Sequence, residues 1–114
     1  MLFRSGRLLL SRPGYPVNHK EIIEACAKNN VAIELNAHPS RLDIDWRHIG
    51  YALEKGVFIS INPDAHQIDG IKDIQYGVAI AQKAMVTKEN NLSSFSLLQF
   101  ENYLAQIRKI KFGL

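Results

Sequence analysis

A chain of 114 residues holds one domain at most and falls short of a closed (β/α) barrel, which runs to roughly 200 residues or more. Its 46% hydrophobic and 22% charged residues exclude wholesale disorder, and fourteen Lys and Arg against eleven Asp and Glu leave a formal charge of +3, too little to mark a dedicated nucleic-acid binder. The single cysteine, Cys26, excludes an internal disulfide, no apolar run approaches the roughly 18 residues of a membrane span, and Ser11 and Arg12 break any signal-peptide core, so the cytoplasm is the expected compartment.

In chain order, Leu8-Leu9-Leu10 is a short apolar run closed by Arg12-Pro13-Gly14, a loop because Pro fixes φ and Gly permits positive φ. Asn18 is placed to cap a helix over 18–29, with Glu21 as capping-box partner, Ile22, Ile23 and Cys26 as the buried stripe and Asn30 as the stop. Residues 31–36 read as a strand. Parity sets Val31, Ile33 and Leu35 on one face under helices, and Ala32, Glu34 and Asn36 on the other. Asp43 or Asp45 opens a helix over 45–55 with Trp46, Ile49 and Leu53 in register, and Gly56 sits at the favoured position after its end. Residues 57–62 repeat the strand pattern.

Beyond them, Asp69 can cap a helix over 71–84 whose stripe is Ile71, Ile74, Val78, Ala81 and Met85, with Gly77 signalling a close approach. Ser94 or Ser96 opens a last helix over 95–109, with Leu97, Phe100, Leu104 and Ile107 on one face and a basic end that suits the helix dipole. The alternation predicts an α/β fold with parallel strands. Its open edges beside Leu8–Leu10 or Val57–Ile61, together with an inward Phe58, predict self-association or marginal folding.

The stretch Val57-Phe58-Ile59-Ser60-Ile61-Asn62-Pro63-Asp64-Ala65-His66 runs an apolar strand straight into a carboxylate and an imidazole two residues apart. If the extended geometry persists past Pro63, Asn62, Asp64 and His66 share one side, and Asp oxygen with His nitrogen suits zinc, manganese or iron. The C-terminal end of a strand is also where open α/β sheets and barrels place their chemistry. By itself the triplet is a weak signal, and a capping Asp beside an incidental His is the plainer reading.

Four runs stand in register: Ser5-Gly6-Arg7-Leu8-Leu9-Leu10-Ser11-Arg12-Pro13-Gly14-Tyr15, then Ala32-Ile33-Glu34-Leu35-Asn36-Ala37-His38-Pro39-Ser40-Arg41-Leu42-Asp43, then Ile61-Asn62-Pro63-Asp64-Ala65-His66, then Gln75-Tyr76-Gly77-Val78-Ala79. In order and spacing they resemble the last part of the PHP (polymerase and histidinol phosphatase) domain of bacterial and archaeal family X DNA polymerases, over roughly residues 5–108. The resemblance implies a partial distorted TIM-like (PHP) barrel spanning residues 1–114, with an atypical start at 1–4 and a tail at 110–114. It implies divalent metal ions, zinc or manganese with iron a further option, and carries over only Asp64 and His66 as ligands. The family's His-x-His motif and other ligands lie upstream of Met1, and Phe3 stands where the family has a metal-binding His. The parent activity implied is 3'-5' exonuclease or DNA-end processing alongside DNA repair synthesis, with DNA as partner. This chain alone is expected to be inactive for want of the upstream PHP and polymerase regions, and the rival expectation is a non-catalytic folding or interaction module for a partner half-barrel.

Around that site, Asn36, His38 and Arg41 cluster in the loop after a strand. Arg41 can clamp a phosphate and Asn36 can orient one, against a plain reading as turn chemistry and a surface ion pair. Arg7 is a further phosphate candidate and, like Arg12, equally a solvated charge, while His38 beside Pro39 reads as a loop residue. Glu34 needs a partner if buried. His19 and His48 read as exposed, and Trp46 and Tyr76 as core or rim aromatics.

Overall fold

Alternation along two short strands organises the molecule. The computed structural model describes residues 7–14 and 16–113 in full and the backbone of residues 2–3; Ser5, Gly6 and Tyr15 of the first motif lie outside the described residues. Three parallel strands stand in the order β1 (Leu2–Phe3), β2 (Ala32–Asn36), β3 (Ile59–Asn62), with Glu34 opposite Ser60 and Asn36 opposite Asn62. The odd-numbered side chains Ile33, Leu35, Ile59 and Ile61 are buried against Ile23 and Cys26 of α1 (His19–Asn29), Ile49 and Ala52 of α2 (Trp46–Glu54) and Ala81 of α3 (Ile74–Lys83). Each such aliphatic side chain contributes about 1.5–3 kcal/mol by leaving water, so this layer holds the sheet to its helices. The α/β arrangement and the parallel pairing both match the sequence expectation.

Local chemistry sets the helix ends. The Asn18 side chain accepts from the Glu21 amide and the Asp45 side chain from the Arg47 amide, so of the two candidate caps for α2 it is Asp45 that serves. Gly56 takes a φ of 77° just past α2, a left-handed turn that costs glycine nothing. At Gly77, a Cβ would come within 2.6 Å of both Ala37 Cβ and Ile61 Cγ2, so the absence of a side chain is what lets α3 close onto the sheet. The stretch Ile68–Asp73 forms a 3₁₀ turn and α3 starts only at Ile74, so Asp69 does not cap an α-helix, and Ile71 and Met85 stand exposed.

Two expectations about edges are corrected. Leu8–Leu10 is not a strand: Leu8 pairs with Arg12 across a tight turn, and Leu10 is fully exposed at its tip with a φ of 61°. The outer edge of β3 is not open. The Ile59 amide donates to the Asn90 carbonyl at 2.9 Å, the Ile61 amide donates to Ser93 Oγ at 2.9 Å, and the Ser93 hydroxyl donates to the Ile61 carbonyl at 2.8 Å. A hydroxyl and one carbonyl thus do the work of a neighbouring strand.

The opposite face of the sheet is only partly covered. The last helix, α4 (Leu97–Phe112), starts at Ser96 with a reciprocal capping box to Gln99 and runs into the segment read as a tail. Phe58 packs edge-on against Phe95 and Tyr103, at ring distances of 5.9 and 5.2 Å, so it is covered rather than inviting a partner. Along the rest of α4 the expected buried stripe is half open. No α4 residue is buried, and Leu97, Phe100 and Leu104 line a groove of about 490 Å³ beside Ala32 and Ser60.

Candidate functional site

The even-numbered residues of β2 and β3 build a polar row that continues past the strand ends. Glu34 is buried and accepts from Asn62 Nδ2 at 2.9 Å, and Asn62 Oδ1 accepts from the Ser60 hydroxyl at 3.1 Å. One step toward the C-terminal ends, buried Asn36 donates from Nδ2 to Asp64 Oδ2 at 3.2 Å, and its Oδ1 accepts from the His38 amide at 3.0 Å. Arg41 Nε lies 3.4 Å from the same Asp64 oxygen. Asn36, Arg41 and Asp64 therefore meet, although 28 residues separate the first from the last.

The route that brings Asp64 there differs from the expected one. The strand stops at Asn62, and Asp64 adopts a φ of 55°, so the extended geometry does not persist past Pro63 and the three alternating residues do not simply share one side. Asp is among the few residues that visit the left-handed region at modest cost, and such conformations gather at functional sites. His66 is exposed, and its Nδ1 lies 2.8 Å from the Asp64 carbonyl. A carbonyl only accepts, so Nδ1 carries a proton and the neutral tautomer this contact selects has its lone pair on Nε2, the arrangement of a metal-ligating imidazole oriented by a backbone carbonyl. His38 is the reverse case: its Nδ1 accepts from the Ser40 amide at 3.1 Å, which ties the ring into the loop turn.

Arg7 is neither a solvated charge nor an open clamp. Its guanidinium donates to the Arg41 carbonyl at 3.0 and 3.2 Å, to the Leu42 carbonyl, and to Asp45 Oδ2 at 2.9 Å, pinning the loop that presents Arg41. Asp45 is also gripped by Arg47, and those hydrogen bonds, with the charge of Arg7 added, outweigh burial and hold its carboxyl far below the usual range. His19 and His48 are not separate exposed residues. Their rings stack in parallel with centroids 4.2 Å apart, and burial together with the charge of His19 pushes the His48 pKa down. Trp46 is a rim aromatic with Lys83 over its face, 4.3 Å from the ring centroid. Burial raises the Cys26 thiol, in keeping with a small core residue.

As a metal centre, the donor set fits in part. Asp64 offers a carboxylate fixed by two neighbours, and His66 offers a correctly oriented ring nitrogen. Among the described residues no group of three or more His, Cys, Asp and Glu comes together, whereas a catalytic site normally takes three protein ligands. Sequence reading missed the Asn62–Glu34 pair, the anchoring of Arg7 and the histidine stack. Strand parity was the available signal for the first, and nothing local pointed to the other two.

No protein-family model matches the chain. It is 41% identical over 100 residues to the DNA polymerase/3'-5' exonuclease PolX of Bacillus subtilis, an alignment that takes in 88% of this chain and 18% of that protein. A probable phosphatase of Aliivibrio fischeri is 26% identical over 90% of the chain and 46% of its own length, and one of Vibrio parahaemolyticus is 28% identical over 82% and 42%. The chain thus spans less than half the length of each of these relatives. In sequence it is a relative of the PHP-domain segment of bacterial family X DNA polymerases, as the four runs in register anticipated.

Proposed function

We propose that this chain is part of a PHP-type metal-dependent phosphoesterase, a partial barrel over residues 1–114 that supplies Asp64 and His66 to a divalent-metal site completed by another polypeptide segment. The observation that carries the reading is the Asp64 cluster itself: a carboxylate held by Asn36 and Arg41 at the strand ends, beside an imidazole whose Nδ1–H is committed to a carbonyl. Zinc or manganese suits this O,N pair, with iron a further option. Such an ion, when bound, supplies Lewis acidity toward a phosphate and lowers the pKa of water. Asn36 orients Asp64, and Arg41 can turn from that carboxylate to a phosphate oxygen while Arg7 holds its loop in place. The relative named as a polymerase and 3'-5' exonuclease supports DNA as the substrate of the whole protein, with hydrolysis of strand ends beside repair synthesis, and the two probable phosphatases support the wider phosphoesterase class.

The test is a chimera in which the part of the Bacillus subtilis relative that precedes the aligned stretch is joined to this chain. Manganese-dependent hydrolysis of a single-stranded oligonucleotide that falls at least about a hundredfold in Asp64→Ala and in His66→Ala is the expected result. A chimera that melts cooperatively yet shows no Asp64-dependent turnover would overturn the reading. The half-open apolar side of α4 favours a second one, a non-catalytic module that folds against a partner half-barrel.

A further inference from the structure

Behind the loop that Arg7 pins, a cavity of about 330 Å³ lies between the turn at Pro13–Gly14 and the first turns of α1 and α2, lined by Arg7, His19, Asp45, Arg47 and His48. Its electrostatics are lopsided. Both carboxylate oxygens of Asp45 are already taken, Oδ2 by Arg7 and Arg47 and Oδ1 by Arg47, so two guanidinium charges face one acid. The stacked pair adds two imidazoles 4.2 Å apart. With both protonated they repel, unless an anion lies between them and the arginines. The amino ends of α1 and α2 add their partial positive charge to the same space, and the volume leaves room for the group to which such an anion is attached.

We infer that this cavity is a phosphate-binding pocket, in which one phosphate group is held by Arg47 and the His19–His48 stack, with the charge of the anchored Arg7 beside it. The pocket is a site other than the pair Asp64 and His66, and Arg7 joins the two by holding the loop that presents Arg41. It also predicts a proton-linked affinity. His48 faces His19 from α1, Asp45 and Arg47 from its own helix and Arg7 from the leading segment, and its depressed pKa leaves it neutral near pH 7. An anion in the pocket favours the charged ring, so binding takes up protons and tightens as pH falls.

Four histidines make the experiment direct, because each imidazole Hε1 resonance reports its own site. The chain is titrated with inorganic phosphate, with a tetrathymidylate lacking terminal phosphates, and with acetate as a control. The expected result is a saturable shift of His19 and His48 with at least one of the first two ligands, and a rise in the pKa of His48. Because a phosphodiester does not itself titrate in this range, the oligonucleotide arm reads the protein alone, with affinity roughly tenfold weaker at pH 8 than at pH 6. Arg47→Gln, at a side chain 72% exposed and safe for folding, weakens binding about fivefold, whereas Asp64→Asn leaves the His19 and His48 shifts unchanged. A response to inorganic phosphate alone assigns the pocket to a free phosphate, and a response to the oligonucleotide assigns it to a strand. Resonances that ignore both ligands, follow acetate equally, or respond to Asp64→Asn as strongly as to Arg47→Gln overturn the inference.

Discussion

Asp45 carries three duties in one side chain: it caps α2, balances Arg7, and balances Arg47. Its carboxyl is held below its ordinary value near 3.8, so the stability it confers is complete above that value and is lost as pH falls beneath it. His48 acts in the same direction higher up. Its folded-state pKa lies below the ordinary 6.5, the unfolded chain binds more protons, and stability declines as pH drops through that value. Denaturant midpoints should therefore fall in two stages as pH is lowered from 7, the first through the ordinary histidine value of 6.5 and the second beginning near 3.8 and continuing below it. Asparagine caps a helix as well as aspartate does, so Asp45→Asn should flatten the lower stage, with an effect under about 1 kcal/mol after solvent screening, and should leave the upper one in place or slightly enlarged, because the Asp45 charge partly offsets the depression of His48. Curves for the two proteins that stay parallel below pH 4 would show that Asp45 has no part in acid stability.

At the scale of elements, a single hydroxyl replaces a strand. Ser93 both donates to the Ile61 carbonyl and accepts from its amide, and the Asn90 carbonyl completes the closure at Ile59. Each such bond is worth a net 0.5–1.5 kcal/mol or so, and the groups it satisfies are the ones through which sheets stack edge to edge. Ser93→Ala should lower unfolding free energy by about 1–3 kcal/mol and raise the weight-average mass in sedimentation equilibrium. Unchanged stability and unchanged mass would mean that water satisfies that edge equally well.

For the molecule as a whole, the site and the packing are incomplete in the same direction. The polar row through Glu34, Asn62, Asn36 and Asp64 lies on the sheet face that α4 covers only in part, and among the described residues no third His, Cys, Asp or Glu joins the two proposed metal donors, Asp64 and His66. Two protein ligands rarely retain a transition metal against buffer. We expect the isolated chain to show no manganese-dependent turnover of a single-stranded oligonucleotide even with excess metal. Hydrolysis that disappears in Asp64→Ala would mean that the chain, alone or as an oligomer, completes its own site. Among the described residues no helix is long and apolar enough to cross a membrane.

The features legible in the residues alone follow mostly from short-range rules. Parity placed Ile33, Leu35, Ile59 and Ile61 on one face, capping chemistry marked Asn18 and Asp45, the spacing of α1 put Cys26 in the core, and four motifs in register pointed to the family. The first three depend on residues within a turn or two, where sterics and hydrogen-bonding capacity leave few choices. Tertiary structure alone decided the rest. Only strand register sets Asn36 opposite Asn62, and only the turn at Asp64 swings its carboxylate back to Asn36 and Arg41. The meeting of His19 with His48 and of Arg7 with Asp45 depends on how α1, α2 and the leading loop pack. The apolar run Leu8–Leu10 became a turn rather than a strand because Leu8 bonded back to Arg12 and Leu9 to Ser40. These pairings span 23 to 38 residues of chain at the Asp64 and Arg7 sites, a separation at which local propensity carries no information and burial and charge choose the partner.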